Sequence, residues 1–164
     1  MIFSWINQQS ELQTERWASS LRTFYPQYAR TWCDPEEHIR AHKTMWNHKE
    51  ATEALNWGEL LQGRHLTVLD AGCGTGWLSA IVSRFPNVST VHALDSDKSL
   101  LTHMLPKVVT EFGGDISRIH SIHGLFDPLP VANGFYDVIV SSSAVHHAPS
   151  LPGILSELRR ALKD

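Results

Sequence analysis

The chain has 164 residues, 42% of them hydrophobic, with six tryptophans and a formal charge of −3. That is enough apolar material for one core and too little for two independent domains. Cys33 and Cys73 are the only cysteines, without metal-type spacing, so neither a disulfide framework nor a zinc site is suggested and a reducing compartment fits. No run of about 18 uncharged apolar residues occurs, and Met1-Ile2-Phe3-Ser4-Trp5 lacks the basic start of a signal peptide. No basic cluster exceeds Arg159-Arg160, which argues against a phosphate backbone as partner; a soluble, cytoplasmic protein is expected.

From Met1 to about Gly63 the pattern reads as helical, aromatic and His-rich, with Trp17, Leu21, Phe24 and Tyr28 at helical spacings. Pro26 should interrupt this run, because it has no amide to donate. Asp34-Pro35-Glu36-Glu37 starts a cleaner helix: a capping carboxylate, a proline at the first turn, then acids where the helix dipole favours them. Helix is expected from there towards Gln62, with Gly63 ending it. His38 and His42 lie one turn apart with His48 nearby, and exposed or capping roles are expected for them rather than metal ligation.

From Leu66 the texture changes to short β-type runs alternating with amphipathic stretches, the pattern of βαβ units and a parallel sheet. The predicted strands are Leu66 to Asp70, Thr90 to Asp95, Arg118 to His123, and Tyr136 to Ser141. Helices are predicted from Thr75 to Phe85 and from Asp97 to Phe112, the second broken at Pro106. In the last segment Ser150 caps, Pro152 sits early, and Leu151, Ile154, Leu155, Leu158 and Leu162 form an apolar stripe expected to face the sheet. The expected fold is α/β: a parallel sheet of about four strands flanked by helices, spanning residues 64–164, with a helical extension over residues 1–63.

The segment Val68-Leu69-Asp70-Ala71-Gly72-Cys73-Gly74-Thr75-Gly76 places a tight glycine turn between a strand and a helix. Such a turn aims backbone amides and the positive end of a helix at whatever lies beyond the strand. Its spacing is G-x-G-x-G. The dinucleotide fingerprint needs its third glycine one residue later, where Trp77 stands, so a nicotinamide dehydrogenase is disfavoured. Asp70 would repel a pyrophosphate and attract a cation, which suits a ligand carrying an ammonium and a sulfonium. Asp95 ends the next strand nineteen residues past Gly76, close to the roughly 20 expected for an acid that binds ribose hydroxyls.

Val68 to Gly76 resembles motif I of class I S-adenosylmethionine-dependent methyltransferases, and Val91-His92-Ala93-Leu94-Asp95-Ser96 is similar to their second-strand motif. Gly124-Leu125-Phe126-Asp127-Pro128-Leu129-Pro130 looks like the adenine-side loop, and Gly134 to Ser142 like the fourth strand. Val145-His146-His147 and Glu157 to Lys163 match the following loop and helix of the small-molecule methyltransferase subgroup. The resemblance covers about Leu66 to Asp164 and implies a Rossmann-like fold. It also implies that Asp70, Ala71, Gly72, Cys73, Gly74 and Gly76 surround the methionine half of the cofactor, with Asp95 on the ribose. By the same token Ser96, Leu125 and Phe126 flank the adenine, and Ser141 presents its backbone near the ammonium. Many relatives carry an acid where this chain has Leu125, so Asp127 or the backbone is left to recognise the adenine amino group.

Each residue also has a plainer reading. The glycines could form a ligand-free turn, Asp95 could be a helix cap, and Leu125 and Phe126 could be core. Cys73 is a small residue that the turn tolerates. His146 and His147 follow the fourth strand, where a methyl acceptor would lie; His146 is a candidate general base, against helix-start packing as the alternative. No metal is expected. The resemblance implies S-adenosyl-L-methionine as cofactor, S-adenosyl-L-homocysteine as product, and a small-molecule or lipid-like acceptor, with a non-catalytic cofactor-binding module as the alternative. The family's sheet has seven strands and this sequence stops after the helix that follows the fourth, so a truncated chain is expected, with a fourth-strand edge open to dimerisation.

Overall fold

A computed structural model describes residues 1–6, 34–44 and 54–164, together with positions 12, 19 and 23. Trp17, Leu21, Phe24, Pro26, Tyr28, Cys33 and His48 lie outside the described residues. The elements in chain order are β1 (Ile2–Ser4), α1 (Pro35–Thr44), α2 (Trp57–Leu60), β2 (Leu66–Ala71), α3 (Trp77–Ser83), β3 (Val88–Asp95), α4 (Leu105–Glu111), β4 (Ile119–His123), β5 (Val138–Val140) and α5 (Leu151–Ala161). All five strands are parallel, in the order β1-β4-β3-β2-β5.

The two central strands explain the layering. Val68, Leu69 and Ala71 of β2 and Val91, Ala93 and Leu94 of β3 are fully buried, the continuous apolar texture expected of parallel strands covered on both faces. On one face Ala93 packs with Ala80 of α3 and with Leu101, Leu105 and Val109 at and before α4. On the other, Leu69, Leu94 and Ile122 pack with Tyr136, Leu129 and Ala161 of α5. Each fully buried leucine or valine contributes about 1.5 to 3 kcal/mol relative to exposure.

The chain moves outward from β2 to β3 to β4, then returns to place β5 on the other side of β2. The sheet therefore reverses direction between β2 and β5, and the crevice beyond their carboxyl ends is where ligands of open α/β sheets sit. The predicted break at Pro106 is real in form. Leu100–Met104 is a π-helical turn in which the Leu105 amide bonds to the Leu100 carbonyl, after which Pro106 takes an early position in α4, where its missing amide costs nothing.

Three expectations needed correction. The first residues are not helical: Ile2–Ser4 adds a fifth strand, pairing Ile2 with Ser121, Phe3 with Ile122 and Ser4 with His123. An open β4 edge offers this short apolar segment a ladder of hydrogen bonds that local helix propensity cannot match. The stripe on α5 is only partly inward: Ile154 and Ala161 are buried, while Leu151 and Leu155 stand 51% and 54% exposed. His38 and His42 are buried, not exposed or capping, and their rings lie 4.3 Å apart on the inner face of α1.

Helix caps follow their chemistry. Asp34 Oδ1 accepts from the amides of Glu36 at 2.9 Å and Glu37 at 3.2 Å, and Ser150 accepts from the Gly153 amide at 3.2 Å. Past α5, the Lys163 amide bonds to the Tyr136 carbonyl and the Tyr136 amide to the Ala161 carbonyl, covering the first residues that lead into β5.

Candidate functional site

The glycine turn leaves the carboxyl end of β2 and enters α3 through three glycines in the left-handed region: Gly72 at φ 74°, Gly74 at 54° and Gly76 at 85°. Side chains are strained there, which is why this turn reads as glycine. Gly72 also has no room for one. A Cβ would lie 2.3 Å from the Ala144 Cβ, in the loop after β5, and 3.5 Å from the Phe126 ring. The turn, the adenine-side loop and the loop after β5, distant in sequence, thus meet at one glycine.

Asp95 ends β3 with a partly buried carboxylate facing the turn. Oδ2 accepts from the Gly74 amide at 2.7 Å and Oδ1 from the Asp97 amide at 2.8 Å. A carboxylate accepts about four hydrogen bonds in all, so capacity for a ligand hydroxyl remains. Burial pushes its pKa up to about 6, against the pull of those amides. Asp70 sits deeper, 1% exposed, and accepts from Ser79 Oγ at 2.6 Å. Burial, reinforced by Asp95, pushes it up to about 7, with Ser79 pulling the other way.

The remaining predicted residues divide into those at the turn and those beside it. Ala71 is buried at the end of β2, and its carbonyl accepts from Ser141 Oγ at 2.7 Å, which ties the exposed Ser141 to the same crevice. Cys73 is buried, and burial together with the two carboxylates raises its thiol pKa well above the ordinary value. Ser96 is half-buried, its carbonyl accepting from His123 at 3.1 Å. Phe126 packs on the α5-side core beside the turn, and Leu125 is half-buried next to it. His146 is exposed on a 3₁₀ turn, Val145–His147, its ring 3.8 Å from that of His147.

Two contacts at the turn were not foreseen in the sequence. His38 on α1 is fully buried and shares a 2.7 Å hydrogen bond with Thr75 Oγ1, between Gly74 and Gly76. Ser79, on the buried face of α3, reads as an ordinary small helix residue until the fold sets it against Asp70. The open depression of about 590 Å³ lined by Ser83, Arg84, Gly113, Asp115 and Arg118 lies at the opposite, amino end of β3 and β4. There the Arg118 guanidinium is taken up by the carbonyls of Phe85 and Val88, so it acts as a brace.

An aliphatic ammonium and sulfonium with a ribose suit this donor set. Glycine backbone is open to close approach, carboxylates end two adjacent strands, and Phe126 offers an aromatic surface beside them.

The comparisons agree with that chemistry. The model of the methyltransferase domain family matches residues 68–164. Over 97 residues the chain is 35% identical to a sterol 24-C-methyltransferase of Pneumocystis carinii, covering 59% of this chain and 25% of that protein. Over 104 residues it is 38% identical to a malonyl-[acyl-carrier protein] O-methyltransferase of Erwinia pyrifoliae, covering 62% and 35%. The chain spans well under half the length of these relatives. In fold it is similar to an S-adenosyl-L-methionine-dependent methyltransferase structure from Methanococcus maripaludis, with a TM-score of 0.64 at 23% identity over 79% of this chain and 58% of that one. With its Rossmann-like sheet and glycine turn, the chain belongs to the methyltransferase domain family.

Proposed function

We propose that this chain is the cofactor-binding part of an enzyme that moves the methyl group of S-adenosyl-L-methionine to a small-molecule or lipid-like acceptor, releasing S-adenosyl-L-homocysteine. The observation that carries the reading is the Asp95 carboxylate, held against the Gly74 amide with acceptor capacity to spare. When bound, the cofactor supplies a methyl already activated by its sulfonium. The turn from Asp70 through Ala71, Gly72, Cys73 and Gly74 to Gly76 would hold the methionine half, and Asp95 the ribose. Ser96, Leu125 and Phe126 would hold the adenine, and the Ser141 backbone the ammonium.

The rest is positioning. Orienting an acceptor and excluding water accounts for about 7 to 11 kcal/mol of a barrier in favourable systems. The hydrogen bond between His38 and Thr75 supports a role for residues 1–63 as a cap over the site. His146 is the candidate base for an acceptor that must lose a proton. The named activities of the sterol and acyl-carrier-protein relatives support the acceptor class. No described helix is long and apolar enough to cross a membrane. Cytoplasmic placement, an acceptor other than nucleic acid and self-association along the β5 edge complete the reading, and light scattering tests the last.

Calorimetry with S-adenosyl-L-homocysteine and with NAD is the primary test. Binding of the first alone is expected, and binding of NAD alone would overturn the cofactor assignment. Turnover on sterol and acyl-thioester acceptors then separates an enzyme from a non-catalytic binding module, for which cofactor would bind with no product formed.

A further inference from the structure

Asp70 and Ser79 lie on opposite sides of the glycine turn, one next to the last residue of β2 and the other in the first turns of α3. Both are buried, at 1% and 0% exposure, and their side chains meet at 2.6 Å. Between them run the three left-handed glycines, whose backbone has no side chains to anchor it. The hydroxyl donates directly to the carboxylate, a charge-assisted bond in a site shielded from water. We propose that Ser79 is a positioning residue for the cofactor: it staples the two ends of the glycine turn through Asp70 and holds that carboxylate in place beneath the turn, so that the turn presents its acid to a cationic ligand. This rests on the cofactor reading given above.

The titratable groups around Asp70 are Asp95 from the end of β3, Cys73 within the turn, and His38, which reaches Thr75 from α1. Asp95 makes ionisation harder, and Ser79 is the neighbour that favours it. Without the hydroxyl, Asp70 would hold its proton to higher pH. The turn would lose both its staple and its charge at neutrality.

The test measures affinity for S-adenosyl-L-homocysteine against pH in the wild type and in Ser79→Ala, Ser79→Cys and Asp70→Asn, with thermal unfolding recorded for each. Ser79→Ala should move the alkaline-going rise of affinity up by about one pH unit, so that binding is about fivefold weaker near pH 7 and recovers near pH 9. Ser79→Cys, close to serine in size and a weak donor, should shift the profile in the same direction, and it carries the comparison if the alanine variant does not fold. Asp70→Asn should flatten that rise. A wild type that binds while both Ser79 profiles superimpose on it, or fall by a constant factor at every pH, would overturn the role of Ser79 and leave the cofactor site standing. A wild type that does not bind would instead remove the cofactor reading itself.

Discussion

The two halves of the crevice are built differently. On the β2–β3 side every strand has neighbours on both flanks, Asp70 is buried and Asp95 partly buried, and the turn is closed on itself by bonds from Gly74 to Asp95 and from Ser79 to Asp70. On the β5 side the strand is three residues long, half-buried and an edge among the described strands, followed by exposed His146 and a helix whose Leu151 and Leu155 face solvent. Parallel strands are stable when covered on both faces and paired on both sides. The first half meets that condition because β4 flanks β3 and β5 flanks β2, whereas β5 is paired on one side only among the described strands. On the proposed function, a constant cofactor would sit on the first half and a variable acceptor would meet the loops of the open one.

Gly72 is where the halves touch, so it is the place to break the contrast. Gly72→Val should destabilise the fold by about 3 kcal/mol or more, because its branched side chain would overlap Ala144 at a backbone angle hostile to side chains. Urea unfolding measures this, and an effect below about 1 kcal/mol would mean that the loop after β5 gives way freely. Asp95→Ala should weaken S-adenosyl-L-homocysteine binding by about 1.5 to 3 kcal/mol, the range for hydrogen bonds to charged groups. Calorimetry on the folded variant reads it out, and unchanged affinity would take Asp95 out of the site.

The carboxylates of the first half also predict a pH dependence of stability. Both folded pKa values are raised, to about 7 for Asp70 and about 6 for Asp95. Their stabilising contribution is fully present below the ordinary aspartate pKa and is lost as pH rises through about 6 to 7. Asp70→Asn should therefore become more stable relative to the wild type as pH rises through this window, which denaturant titrations at several pH values measure. A difference that is constant with pH would contradict the burial argument. The smallest effect belongs to the second half: Ser150→Ala removes the cap of α5 and should cost about 1 kcal/mol in unfolding experiments, leaving cofactor affinity unchanged.

Much of this was legible in the residues. Every predicted strand came within two residues of its observed ends; at β5, Tyr136 and Ser141 fall outside the ladder because β5 pairs only from Val138 to Val140. The caps at Asp34 and Ser150 and the disturbance at Pro106 were readable because each depends on a few neighbouring atoms. The first strand was not. Ile2-Phe3-Ser4 carries too little pattern to distinguish strand from helix, and it is ordered by an edge more than a hundred residues away. The buried His38 and His42 were misread for the same reason: a histidine on a helix is exposed or buried according to what covers that helix face.

Sequence alone determined the glycine turn, the acid that ends the next strand, and with them the class of ligand, because backbone conformation and charge at a strand end are local properties. Only the tertiary structure decided how those parts are held. It put Asp70 beneath the turn on Ser79, left Asp95 facing the Gly74 amide, brought Ala144 against Gly72 and set His38 on Thr75. Each is a meeting of side chains or backbone across a turn or between distant elements, and burial and charge act through space, which spacing along the chain does not measure.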